Sequence, residues 1–424
     1  MSQDSGTYFL ETLGCPKNQV DSDKLEGTLV ADGLRSTDSV EDADVVVVNT
    51  CAFIDEARQE SVETILALSE QRRDGARLIV TGCMAERHGD ELAAELPEID
   101  HIAPFGAALA TTAPSAAVPV TLGATRRAPD FDLLNLPRPA SLRPWAYVKI
   151  AEGCDRACGF CAIPTFRGPQ RSRSIEQILT EVDQLDAKEI VLVAQDLAAY
   201  GRDQGVGERQ IVELVEQVSA RVDWVRLLYL YPSDLNERLI DAILATGVPY
   251  FDLSLQHVSP PLMRRMRRWG NGDKFLERID HIRQLSPEAA FRSNFIVGYP
   301  GETEADHDAL LDFVEQAQLD WCGFFAYSPE AGTYAMELDG DVPAELRDDR
   351  LAELRELQDN ITARRRDLLI GSKLRVLVDE PGIARSHREA PEIDGVIHVP
   401  EELAVGQYHL VTVTAAIGPD LEAS

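Results

Sequence analysis

Cys154, Cys158 and Cys161 have the residue type and the spacing for chemistry. They stand in Ala151-Glu-Gly-Cys154-Asp-Arg-Ala-Cys158-Gly-Phe-Cys161, a C-x3-C-x2-C run directly after a predicted strand. Three thiolates on one short loop can hold three corners of a four-iron cluster, because soft thiolate suits iron–sulfur. Structural zinc wants four protein ligands. After Cys161 the next His is His257 and the next Cys is Cys322, so no local fourth ligand exists. A distant one could fold back, but three ligands better fit a cluster whose fourth iron is open.

Cys15, Cys51 and Cys83 have no short spacing. Their signal is placement: each follows a predicted strand (FLETLGCPKN, VVVVNTCAF, LIVTGCMAE) and precedes a helix. The carboxyl ends of parallel strands share one edge, where ligands bind. Nearby helix N-termini favour thiolates and an anionic cluster. The plainer reading is three buried, small apolar residues; three of three at such junctions favours a second cluster. Cys322, inside the apolar run WCGFFAY, reads as core packing.

The elements that must position these residues follow from periodicity. The N-terminal part alternates strand and helix: GTYFLETL, a helix over 24–31, ADVVVVNT, a helix over 56–70, ARLIVTG, and a helix over 90–95. This order predicts a small open parallel sheet. Residues 104–144 are rich in Ala, Thr and Pro and read as a linker with one short strand. From Trp145 the rhythm returns, with strands at WAYVKI, EIVLVA, WVRLLYL, YFDLSLQ, FRSNFIVG and WCGFFAY. Helices fit at 175–185, 209–220, 236–245, 273–285 and 304–317, and a long charged helix over 345–369. Six βα units suggest a closed or partly open barrel. KLRVLVDE, IDGVIHVP and YHLVTVTA then read as a small antiparallel β-barrel, with an irregular final strand at AAIGPDLEAS.

The 424 residues exceed one ordinary core and carry 41 basic against 72 acidic side chains, a net of −31. That balance favours a basic or neutral partner over nucleic acid, or simply keeps the chain soluble. Seven cysteines are too few, and odd in number, for a disulfide scaffold. No apolar run approaches a membrane span, and MSQDSGTYFL has no signal-peptide pattern, so a cytoplasmic location is expected.

The central loop, with aromatic Phe160 before its last Cys, resembles the signature of the radical S-adenosylmethionine superfamily. There the open iron chelates S-adenosylmethionine, and one electron cleaves it to a 5′-deoxyadenosyl radical. Over nearly its full length the chain resembles the methylthiotransferase family. The resemblance implies an α/β fold in three parts: an N-terminal cluster domain (1–125), a partly open (βα)6 radical barrel (140–370) and a C-terminal TRAM domain (371–424). One branch of the family modifies an adenosine of tRNA, the other an aspartate of small-subunit ribosomal protein S-twelve. Gly14-Cys-Pro-Lys-Asn18 with Asp21-Ser22 resembles the second branch. So do Cys51-Ala-Phe-Ile-Asp-Glu-Ala57 with Glu60-Ser61, and Cys161-Ala-Ile-Pro164 with Arg167-Gly168. Leu255-Gln-His-Val-Ser259, Gly298-Tyr-Pro-Gly-Glu302 and Ala390-Pro-Glu-Ile-Asp-Gly395 agree. Of the superfamily's Gly-x-Ile-x-Gly-x-x-Glu pattern, Ile296 and Gly298 match, while Asn294 and Gly301 depart from it.

The resemblance implies two 4Fe-4S clusters, on Cys15, Cys51 and Cys83 and on Cys154, Cys158 and Cys161. The first carries the sulfur that one S-adenosylmethionine methylates. The second cleaves another S-adenosylmethionine, and the radical removes a β-hydrogen from the aspartate. A reductant such as flavodoxin or ferredoxin is implied as partner. Phe160, in the loop, is a candidate S-adenosylmethionine contact; Gln195, Asp196 and Gln256, at predicted strand ends, are candidate S-adenosylmethionine or substrate contacts, or more plainly polar rim residues. Residues 372–424 hold four Lys/Arg against nine Asp/Glu, a poor phosphate surface and a reasonable one for a basic protein. Arg264, Arg265, Arg267 and Arg268 read more simply as a solvated helix face than as a contact to substrate or RNA. The rival functions are a tRNA methylthiotransferase, an iron–sulfur electron carrier and a zinc-stabilised RNA-binding module.

Overall fold

The computed structural model describes residues 6–109, 131–205 and 209–424. They form two compact units, the first comprising residues up to 140 with 151–155 and 162–173, the second comprising 141–150, 156–161 and 174–424. Residues 110–130 of the stretch expected as a linker with one short strand lie outside the described residues; its described part, 104–109 and 131–144, holds only a 3-10 turn, Leu133–Asn135.

In the first unit β1 (Thr7–Thr12), β2 (Arg35–Ser36), β3 (Val45–Thr50), β4 (Arg77–Gly82) and β5 (His101–Ala103) form one sheet, in the order β2-β1-β3-β4-β5. Every pairing is parallel. The run of four valines in β3 shows why that strand is central. Val46 and Val48 pack with Ile65, Leu68 and Leu92 on one face, and Val45 and Val47 with Leu25 and Leu29 on the other. A strand buried on both faces needs a continuous apolar run rather than alternation, and each fully buried Val contributes roughly 1.5–3 kcal/mol. The covering helices are α1 (Pro16–Ala31), α2 (Asp55–Gln71) and α3 (Cys83–Glu95). α1 and α3 begin earlier than periodicity suggests. Pro16 supplies a pre-set first turn to α1, and α3 is kinked at His88, which hides its first turn from a 3.6-residue pattern.

β6 (Trp145–Lys149) opens the second unit. The chain then returns to the first unit for β7 (Ala151–Glu152), α4 (Ile163–Phe166) and β8 (Arg171–Ser172), where β7 and β8 pair antiparallel. The remaining barrel strands are β9 (Glu189–Val193), β10 (Trp224–Leu227), β11 (Tyr250–Gln256), β12 (Ala290–Val297) and β13 (Trp321–Ala326). They lie in chain order as two parallel sheets, β6-β9-β10 and β11-β12-β13, joined by a parallel bridge, Leu230 to Leu253. No ladder joins β13 back to β6 among the described residues, so the barrel is partly open.

The helices are α5 (Ile175–Leu185), α6 (Ile211–Ser219), α7 (Glu237–Leu244), α8 (Pro260–Arg265), α9 (Gly272–Leu285), α10 (Glu304–Ala317) and α11 (Ala344–Asp367). Local caps set their starts: Ser174 with Gln177 and Thr303 with Asp306 form capping boxes, and Asn236 and Asn271 cap α7 and α9. No helix of the described residues is long and apolar enough to cross a membrane.

β14 (Lys373–Glu380), β15 (Ile383–Arg385), β16 (Ile397–His398), β17 (Tyr408–Ile417) and β18 (Asp420–Ala423) close a small barrel. The C-terminal stretch expected to be irregular instead completes it. β18 turns back on β17 after Gly418, with a register shift that absorbs the irregularity, and pairs parallel with β16. That single parallel pair is the departure from an all-antiparallel barrel.

Candidate functional site

Three of the free cysteines gather on the carboxyl edge of the first sheet. Cys15 is the N-cap of α1, just past β1; Cys51 follows β3 directly; Cys83 is the first residue of α3, directly after β4. Because β1, β3 and β4 are adjacent and parallel, their ends bring together residues far apart in sequence. Cys51 and Cys83 are buried and Cys15 half-buried.

The surroundings hold these residues at both the backbone and the sulfur. Asn18 donates to Leu13 O (2.9 Å) and Thr50 O (3.0 Å), tying the ends of two strands. Ser61 Oγ accepts from Cys51 N (3.1 Å) and donates to Cys51 O (2.9 Å). Asn49 donates to Ser22 Oγ and Asn18 O, both at 2.9 Å. Thus Asn18, Ser22 and Ser61, singled out from sequence only as motif letters, brace the cysteine-bearing turns. Gly14 has φ +91°, and a Cβ there would stand 2.8 Å from Cys51 Sγ.

The thiols also sense each other. Burial, then Cys83 and Cys15, push Cys51 up to about 12. Burial raises Cys83 against the opposing cation of Arg167. At Cys15 burial is outweighed by Lys17, Arg167 and the backbone N–H groups of Asn18 and Lys17, so its thiol is lowered. Arg167, noted from sequence only within a motif, donates from Nη2 to Cys83 Sγ at 3.0 Å. Soft donors around a glycine cradle, with a cation to offset thiolate charge, fit iron–sulfur ligation. No three His, Cys, Asp or Glu side chains of the described residues converge as they would on a single metal ion. A cluster spreads its thiolates over separate irons and needs no such convergence.

The central loop divides between the units: Cys154 belongs to the first, Cys158 and Cys161 to the second. In the first unit Cys154 is buried and donates its N–H to Gly168 O at 3.0 Å. In the second, Cys161 N donates to Cys158 O (3.2 Å), a tight turn that leaves both thiols half-buried. Gly159 N donates to Met266 O and Ala335 N to Gly159 O, both 2.8 Å. A Cβ on Gly159 would lie 2.8 Å from Tyr299 Oη, so the loop's glycine is a packing requirement. Phe160 packs against the cluster of Leu262, Met266, Tyr299 and Ala335.

The arginine run is not a solvated face. Helix α8 ends at Arg265, and Arg267 sits at φ +53°, so the run turns back rather than continuing as helix. Arg268 Nη1 reaches Cys158 Sγ at 3.4 Å and its guanidinium lies 3.9 Å from the Tyr231 ring centroid. Arg265 pairs with Asp339 (2.9 Å), and Arg267 stacks 3.6 Å from the Tyr334 ring centroid. Only Arg264 matches the solvated description in being exposed without such a ring or ion-pair contact among those described.

Gln195 and Asp196 lie past the end of β9, half-buried and buried respectively. Asp196 accepts from Arg156 Nε at 2.5 Å, and Arg156 also pairs with Asp234. Gln256 ends β11 at a register shift, with φ +73°. A non-glycine residue held there stores roughly 1–3 kcal/mol of strain, and such residues concentrate at functional sites. Asn294, on β12, directs Oδ1 to within 2.6 Å of where a Cβ on Gly323 would stand, and Oδ1 has no hydrogen-bond partner among the described residues. Glu302, one position beyond Gly301, is buried, accepts from Gly298 N (2.6 Å) and pairs with Arg350 (2.9 Å). Cys322 is half-buried within β13.

Three family descriptions match the chain: uncharacterized protein family UPF0004 over residues 7–104, the radical SAM superfamily over 148–314 and the TRAM domain over 370–424. Relatives named ribosomal protein uS12 methylthiotransferase RimO match nearly end to end. The protein from Cutibacterium acnes is 40% identical, covering 96% of this chain and 95% of its own. Those from Moorella thermoacetica and Aquifex aeolicus are each 41% identical, covering 92% and 97% of this chain and 91% and 95% of their own. Among solved structures, the cobalamin-dependent S-adenosylmethionine radical enzyme OxsB superposes with a TM-score of 0.48 at 12% identity, over 84% of this chain and 56% of that one. The radical SAM match over 148–314 and the RimO relatives make this a radical S-adenosylmethionine enzyme, with S-adenosylmethionine and two 4Fe-4S clusters as its cofactors. With the three matched regions in this order and such identity over almost all its length, the chain belongs to the RimO methylthiotransferase family.

Proposed function

We propose that this chain methylthiolates the β-carbon of an aspartate in ribosomal protein uS12. The observation that carries the reading is the near full-length match to proteins of that name. In this reading Cys15, Cys51 and Cys83 hold one 4Fe-4S cluster and Cys154, Cys158 and Cys161 the other, within domains spanning 1–125, 140–370 and 371–424. When bound, the clusters supply the electron that cleaves S-adenosylmethionine and the sulfur that is transferred.

The chain's own residues bind and orient. Gly14 leaves room for Cys51 Sγ, and Asn18 keeps the strand ends in register. Phe160 gives S-adenosylmethionine an aromatic border, Gln195 and Gln256 offer polar groups at strand ends, and Asp196 acts with the cation of Arg156. A flavodoxin or ferredoxin would supply electrons, and the reaction would take place in the cytoplasm.

The surface charge of the C-terminal barrel supports a basic protein substrate more strongly than the residue count alone. Arg385 and Arg388 are buried, leaving Lys373 and Arg375 as its exposed cations beside exposed Glu380, Glu392, Glu401, Glu402 and Glu422. Such a face steers a cationic partner and repels phosphate.

The test is paired. Reconstituted enzyme is incubated anaerobically with S-adenosylmethionine and reductant, once with ribosomal protein uS12 and once with tRNA. A methylthio mass gain on the aspartate is expected. A gain on tRNA alone would sink the reading.

A further inference from the structure

One cation is enclosed beside Cys83, on the sheet edge that carries Cys15, Cys51 and Cys83. The Arg167 side chain is 2% exposed. Its Nη2 donates to Asn18 Oδ1 at 2.8 Å and to Cys83 Sγ at 3.0 Å. Its Nη1 faces Glu152 at 3.0 Å and Asp21 at 3.4 Å. The ring of Phe105 lies 4.3 Å from the guanidinium carbon. The group is held on its edges and one face, so it has little freedom to turn away.

Its two outer nitrogens divide their work. Had Arg167 served only to neutralise Asp21 and Glu152, both could have met carboxylates in the forked pairing that guanidinium favours. Instead one nitrogen is committed to carboxylates and the other to a sulfur. The carboxylates anchor the charge; the other nitrogen brings it to Cys83. Asn18, which receives the other Nη2 bond, is the residue that ties the ends of β1 and β3. Arg167 therefore touches both the charge and the geometry of the cysteine-bearing edge.

We propose that Arg167 is the positioning residue of the auxiliary cluster: it orients Cys83, and its permanent charge favours the more negative, reduced state. This rests on the reading of Cys15, Cys51 and Cys83 as cluster ligands. Net charge near a cluster and hydrogen bonds to its sulfurs are the protein's means of setting reduction potential. Arginine stays protonated at any working pH, so the effect does not come and go with pH. Glu152 acts in the opposite sense, by partly offsetting the same cation.

The test uses the full chain with Cys154, Cys158 and Cys161 all changed to Ala, leaving the auxiliary site alone. After anaerobic reconstitution, iron and sulfide are counted and the midpoint potential is read by a titration followed by electron paramagnetic resonance. Arg167→Gln should lower the potential by at least a tenfold shift in the redox equilibrium, ~59 mV for one electron. Arg167→Lys keeps the charge and should stay within about threefold of the parent, well inside that shift. Glu152→Gln should move the potential upward. Loaded Arg167→Gln and Glu152→Gln proteins with the parent's potential overturn the proposal. Loss of iron in Arg167→Gln with retention in Arg167→Lys supports it. If neither arginine variant loads, the upward shift in Glu152→Gln decides, and its absence overturns. A parent protein without iron sinks the ligand reading instead, which separates the two failures.

Discussion

Arg385 Nη1, from the C-terminal barrel, lies 2.7 Å from Oε2 of Glu189, the first residue of β9, and their side chains are 2% and 0% exposed. Arg226 Nε takes the other Glu189 oxygen at 2.8 Å, and Asp379 closes the group on Arg385 at 2.5 Å. Around it, Tyr250 Oη donates to Asp394 (2.6 Å), Trp321 Nε1 to Arg388 O (2.6 Å) and Tyr147 Oη to Pro391 O (2.8 Å). Glu189, Tyr250 and Trp321 each begin a barrel strand. The C-terminal domain is therefore anchored at the amino ends of the strands, opposite the ends that carry Gln195, Asp196 and Gln256.

Glu189→Gln should leave two buried arginines short of their shared charge. A loss of about 3–5 kcal/mol is expected for breaking such a group. Urea unfolding followed by circular dichroism measures it, and a change under 1 kcal/mol would show that water reaches the arginines.

Glu389 gives the same seam an acid limit. Burial opposes its charge, but Arg366 at 2.5 Å and the bonds from Ser386 overcome this and hold its carboxyl down at about 2, against an ordinary 4.5. A depressed carboxylate contributes stability that is fully present above the unfolded value and lost as pH falls through the folded one. The contribution is ~3 kcal/mol, lost between about pH 4.5 and pH 2. Glu389→Gln should lower stability at neutral pH and flatten the dependence in that window. An unchanged acid slope in the variant, read by urea midpoints, would refute it.

Each cysteine triad should account for its own iron. Changing Cys15, Cys51 and Cys83 to Ala should take reconstituted protein from about eight irons to about four, as should changing Cys154, Cys158 and Cys161. Only the second change should abolish S-adenosylmethionine cleavage, measured as 5′-deoxyadenosine. Full iron in either variant would remove that triad from the ligand set.

Gly14→Ala should harm the auxiliary site through space and backbone together. The added Cβ would stand 2.8 Å from both Cys51 Cβ and Sγ, at a φ of +91° that side chains avoid. A stability cost of at least about 1 kcal/mol is expected, with the cysteine edge losing its iron first. Wild-type iron content after purification would contradict this.

The placement of Cys15, Cys51 and Cys83 at strand ends was legible because strand and helix are written in local periodicity. The four valines of β3 and the residues that follow them reveal a junction wherever they occur. Arg167 was legible only as a motif letter. It is separated from Cys83 by 84 positions, and no local pattern reports such a meeting. The arginine run misled for a related reason: a charge run implies a helix face only while the helix continues, and α8 stops at Arg265.

By itself, then, the sequence determined the order of the main strands and helices, the two cysteine triads and the soft-ligand chemistry they offer, since residue type and backbone repeat are local properties; short elements such as β2, β5, α4 and α8 were not legible in it. Tertiary structure alone decided which side chains share an enclosure. Parallel crossovers carry Cys15, Cys51 and Cys83 to one edge and set Arg167 among them. The seam with the barrel turns Arg385 and Arg388 from countable surface charges into buried ion-pair partners. Burial and long-range pairing depend on every element packing at once, and it is they that decide which charges act on sulfur and which ones a substrate meets.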